Sequence, residues 1–124
     1  MTPHQQARMA YSSPNAPVRS HRGAEYAVFL EITRALKSVR NEHNRNSTPR
    51  VEAIMRNRQL WTTIAASVAD ASNNLPSELR ARLFYLFEFT NKNSNIAIGN
   101  CGILDALIDI NTSVMMGLLE PTEE

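Results

Sequence analysis

Few side chains in this chain are of the kinds that do chemistry, and their spacing argues against a catalytic centre. His4, His21 and His43 all fall in the basic N-terminal third, with no cysteine or carboxylate pair at metal-ligand spacing, so they read as solvated surface residues. Asp105 and Asp109 stand one helical turn apart and could hold a divalent ion. An aspartate near a helix start is more simply a partner for the positive end of the helix. Cys101 has no activating neighbour beyond its own loop and reads as a small packing residue. A Gly-rich phosphate loop, a nucleophile elbow and a Walker pattern are all missing. The sequence therefore offers no catalytic residue, no cofactor site and no metal site, and the chain is not expected to be an enzyme.

Its residues are better suited to binding. Between Leu79 and Thr90 the chain is apolar nearly all round a helix: Leu79, Leu83, Leu86, Phe87 and Thr90 share one face, Phe84 lies on one flank, and Tyr85 and Phe89 lie on the other. Such a helix is either buried centrally or meets a second partner, and the central position is expected here. Burying each aromatic is worth about 1.5–3 kcal/mol, so whichever of Phe84, Tyr85, Phe87 and Phe89 stay uncovered form a candidate partner-binding surface. Met115 and Met116 on the following helix are candidates for the same surface, since thioethers adapt to partners; a methionine at helical spacing, Met55 included, is also ordinary core material. The alternative surface is basic. Residues 1–60 carry ten Lys/Arg against four Asp/Glu, a net of +6, whereas residues 61–124 carry three against eight, a net of −5. The halves either complement each other across one bundle or leave a basic face, with Arg50, Arg56 and Arg58, for RNA or an acidic partner.

The elements that must position these residues are helices. With 43% apolar and 20% charged residues, 124 residues fill one core, and four glycines and few β-branched runs favour an all-α fold. The pattern predicts a single-domain bundle of four main helices at about 20–45, 49–71, 76–98 and 103–117. A short N-terminal helix at about 2–11 starts from the capping pattern Thr2-Pro3-His4-Gln5. Residues 1–19 form an arm broken by Pro14 and Pro17, and residues 118–124 form a tail. Thr48 and Pro49 are expected as N-cap and first residue of the second helix, Pro76 as the first residue of the third, and Gly117 as the end of the fourth. Trp61 falls at helical spacing with Ile54, Ala65 and Val68, which predicts a buried anchor. Asn111 sits on the apolar face of the fourth helix, so burial would oblige it to hydrogen-bond, tying helix to helix; Asn57 could likewise bond a loop carbonyl. A single cysteine, a start lacking the apolar core of a signal peptide and no run near ~20 apolar residues together predict a cytoplasmic protein without a membrane partner.

Several of these stretches also resemble a family. Asn57-Arg58-Gln59-Leu60-Trp61, followed by the run from Asn73 to Thr90, is similar to the flagellar regulator FlaF of alphaproteobacteria. The likeness extends to Glu25-Tyr26 with Ile32 to Leu36, and to Asp105 to Thr112 with Gly117-Leu118, covering roughly residues 7 to 119 in the family's order. The resemblance implies a cytoplasmic, non-enzymatic protein of flagellar assembly that binds flagellin, as a chaperone and regulator needed for flagellin synthesis and secretion. Its alternative is post-transcriptional control of flagellin, acting on mRNA or through an FlbT-like partner. Direct RNA binding is the weaker form of that alternative, because the aromatics do not interleave with the basic stretch.

Overall fold

The computed structural model describes residues 16–42, 44 and 46–119, with side chains between residues 25 and 117 of that range. Four helices follow one another: α1 Ala16–Val39, α2 Thr48–Ala69, α3 Ser77–Gly99 and α4 Cys101–Leu119. Each packs on its neighbours in the order α1, α2, α3, α4 and back to α1, which closes an all-α bundle. Cross-helix contacts fix the directions. Arg50, Arg58 and Arg80 reach Ala97, Asn91 and Val68 in turn, so α2 and α3 are antiparallel, while Arg40 to Asp105 and Asn111 to Thr33 set α4 antiparallel to α1. No helix among the described residues is long and apolar enough to cross a membrane. The short helix expected at residues 2–11 lies outside the described residues.

The helix ends depart from the sequence expectation for identifiable reasons. α1 takes Pro17 into its first turn, where a missing N–H costs nothing, and so begins at Ala16 rather than near residue 20. It stops at Val39 instead of reaching residue 45, because the carbonyls of Val39 and Arg40 accept from Arg50 Nη1 at 2.9 and 3.3 Å. Ser47, not Thr48, caps α2: its hydroxyl accepts from Arg50 N–H at 3.3 Å, and Thr48 and Pro49 fall in the first turn. Pro76 is likewise the cap residue of α3 rather than its first helical residue. The polar run Asn91 to Asn95 stays helical, with Asn93 Nδ2 and Ser94 Oγ donating back to the carbonyls of Phe89 and Thr90 at 2.9 and 2.6 Å. Gly117 does not end α4; the helix continues to Leu119, and no described glycine has positive φ.

The core is two apolar clusters with a polar layer between them. Leu36, Val39, Ala53, Ile54, Ala97, Leu104, Leu107 and Ile108 form the first, and Phe29, Trp61 and Met115 centre the second. Thr33, Asn57 and Asn111 fall between them along their helices, all buried. Trp61 Nε1 donates to Asn111 Oδ1 at 2.9 Å, and Asn111 Nδ2 donates to Asn57 Oδ1 at 2.7 Å and to Thr33 Oγ1 at 3.2 Å, so one amide joins α1, α2 and α4. Asn57 therefore bonds a neighbouring helix, not a loop carbonyl. Its own Nδ2 and Thr90 Oγ1 stay buried without partners, at a cost of about 1–3 kcal/mol each.

Arg50 is fully buried and has no carboxylate against it among the described residues. Its guanidinium instead serves the ends of two helices: Val39 and Arg40 carbonyls on α1, and Ala97 and Ile98 carbonyls on α3 at 3.1 and 2.7 Å. Carbonyls at helix C-termini keep acceptor capacity and carry the negative end of the dipole, which is what makes this burial tolerable; those of Val39 and Ala97 accept from the Glu42 and Asn100 N–H as well. Replacing Arg50 by Met is expected to lower stability by about 3 kcal/mol, since four carbonyls lose a charged donor at once. Arg50→Lys will recover only part of it, lacking the planar fork. A urea titration that finds either variant as stable as the parent contradicts this assignment. Trp61, with no exposed surface and an edge-to-face contact to Phe29, is expected to cost about 3–5 kcal/mol when changed to Ala, with blue-shifted emission in the parent protein.

Candidate functional site

Helix α3 is built against its own hydrophobicity. Its second half, from Thr90 onward, is the polar one, yet Thr90, Ser94 and Ala97 are its buried residues. These small side chains, spaced four and three residues apart, let α3 approach its neighbours closely there. The apolar first half, Ser77 to Phe89, contributes no buried residue. α3 is therefore central only in its second half, which corrects the expectation that the whole helix is.

Four aromatics are thus distributed around the rim of the bundle. Phe87 packs against the Phe29–Trp61–Met115 cluster with Leu83 and Leu86, and Phe89 packs against the other cluster. Phe84 is 37% exposed and meets Phe87 edge to face at 5.5 Å, while Tyr85 is 66% exposed. One residue from each flank, rather than one complete flank, is left open. Two shallow depressions sit beside them. One, of about 420 Å³, is lined by Glu78, Ala81, Arg82, Tyr85 and Leu86. The other, of about 320 Å³, is lined by Val68, Ser77, Arg80, Ala81 and Phe84. Met115 is core and not surface, and Met116, although 61% exposed, lines neither depression. Met55 is packed against the first cluster.

The basic candidates do not assemble. Arg50 is inside, so it is no part of a basic surface. Arg56 pairs with Glu31 at 2.8 Å and Arg58 donates to Asn91 Oδ1 at 2.8 Å, both at the surface. Arg80, which sequence reasoning did not single out, caps α2 by donating to the carbonyls of Val68 and Asp70 at 2.8 and 3.1 Å. The signal was its place in the first turn of the helix that follows a tight turn. The side chains of all three histidines lie outside the described residues.

Asp105 is held by Arg40, whose Nη2 donates to Oδ2 at 2.7 Å while Nε donates to Oδ1. It is engaged as a helix-tying ion pair, and no group of three or more potential metal ligands occurs among the described residues. Cys101 does have a cationic neighbour: its Sγ accepts from Arg50 Nη2 at 3.9 Å and donates to the Arg40 carbonyl at 3.5 Å. The hydrogen bond from Arg40 holds the Asp105 carboxyl below its ordinary 3.8, and the Ser72 backbone N–H does the same for Asp70. A carboxyl depressed in the folded state contributes stability above its unfolded pKa and loses it as pH falls through the folded value. Stability should therefore fall with acid in the window below 3.8, less steeply in Asp105→Asn; identical acid unfolding of the two proteins would show that the pair contributes nothing.

A family model described as flagellar protein FlaF matches residues 7–118 of the chain. No curated protein and no solved structure matches it significantly.

Proposed function

The chain belongs to the FlaF family of flagellar proteins, and we propose that it is a non-enzymatic partner protein that binds flagellin in the cytoplasm, as a chaperone and regulator of flagellin synthesis and secretion. The observation that carries this is the partly covered first half of α3, where Phe84 and Tyr85 are exposed beside two shallow, mostly apolar depressions. Exposed aromatics on a rigid helix, with a small residue, Ala81, between them, suit the docking of an amphipathic client helix. Flagellin is the client that membership in a flagellar family favours. Control of mRNA, directly or through an FlbT-like partner, has less support: of the arginines that motivated it, Arg50 is buried, and Arg56 and Arg58 are engaged within the bundle.

Replacing Phe84 and Tyr85 singly by Ser tests the reading. Each should weaken flagellin binding by roughly tenfold or more, the scale of an interface hot spot, with an unchanged circular dichroism melt. Added salt should change the parent's affinity little, unlike phosphate binding. Undiminished binding in both variants, or its loss on reversing Arg56 and Arg58, would transfer the function to the basic side.

A further inference from the structure

Along the outward face of α3 runs a stripe with its own symmetry. Glu78, Ala81, Tyr85, Phe89 and Lys92 follow at intervals of three, four, four and three residues, so the spacing reads the same in both directions from Tyr85. At 100° per residue these five fall within one narrow arc. Glu78, Ala81, Tyr85 and Lys92 are exposed, and Phe89 stands at the edge of the stripe, half-buried and packed in part against the first core cluster. Opposite ends of the stripe are chemically complementary: acid against base, small against large.

We propose that this face of α3 pairs with α3 of a second copy of the same chain, antiparallel about a two-fold axis at Tyr85. That arrangement sets Glu78 opposite Lys92 of the second copy and Ala81 opposite Phe89, each contact occurring twice, with the two Tyr85 rings in contact at the centre. A two-fold interface must be self-complementary in this way, and random surface sequence seldom is. The fourteen steps of helix from Glu78 to Lys92 give a contact about 21 Å long. The depression lined by Glu78, Ala81, Arg82, Tyr85 and Leu86 lies under it and receives the larger side chains of the second copy. Glu78 already bonds Arg82 on its own helix at 2.9 Å, but that pair is exposed and is easily shared. A single helix pair covers less than the ~1,200 Å² of a standard interface, so the dimer is weak and concentration-dependent. It occupies the face assigned above to the client, which makes pairing and client binding mutually exclusive, but the pairing itself does not depend on who the client is.

Sedimentation of the purified full chain, without flagellin, over a wide range of concentrations is the test. The parent should pass from monomer to dimer. Glu78→Lys and Lys92→Glu each place like charges opposite one another twice, and should raise the dimer dissociation constant roughly tenfold or more. An equimolar mixture of the two variants should form a heterodimer as tight as the parent dimer, and the double variant E78K/K92E should recover a homodimer. A chain that stays monomeric throughout overturns the proposal. So does a dimer indifferent to both reversals, or a mixture that associates no better than its components.

Discussion

A cation shut inside a small bundle with no carboxylate against it among the described residues has to be answered by dipoles, and Arg50 is answered by the C-termini of two helices. Its donors reach four carbonyls, those of Val39 and Arg40 at the end of α1 and those of Ala97 and Ile98 in the last turn of α3. Because the guanidinium is planar and rigid, it accepts those carbonyls only where both helices stop at the right level. The early end of α1 at Val39 and the turn at Asn100 both fall where this side chain meets the helix ends. The Arg40–Asp105 pair then ties the start of α4 to the same end.

From that anchored end the bundle changes character along its axis. Beyond the first apolar cluster comes the Thr33, Asn57 and Asn111 layer, which is directional where apolar packing is not. Asn111 can satisfy Trp61, Asn57 and Thr33 together in one helix register only. The buried Asn57 Nδ2 and Thr90 Oγ1, which have no partner, cost stability. Past the layer lies the aromatic cluster of Phe29 and Trp61, and outside that the half of α3 that the bundle covers on one side only. One end is thus held by charge and hydrogen bonds, and the other offers surface.

This division separates, in a flagellar protein, the part that holds the fold from the part that offers surface. Thr90, Ser94 and Ala97 give α3 its grip on the bundle with side chains too small to hide the large ones that precede them. Phe84 and Tyr85 are then carried at the surface by a helix whose backbone is fixed elsewhere. A preorganised apolar face of this kind loses little conformational freedom on binding. The same face is a liability for a free protein, and a stripe that can pair with its own copy gives it a reversible cover.

The amino-acid sequence by itself determined the helical class, the four segments, the burial of Trp61 beside Ile54, Ala65 and Val68, and the interhelical role of Asn111. All follow from periodicity and from the rule that a polar group on an apolar face must find a partner. It also carried the family, through blocks of residues that the FlaF model spans. Tertiary structure alone decided that Arg50 is interior, and that α3 buries its polar half. Local patterning ranks residues by their own hydrophobicity, whereas burial depends on what lies opposite. An arginine goes inside when two helix ends converge on it, and a phenylalanine stays outside when smaller neighbours have already set how close its helix can come.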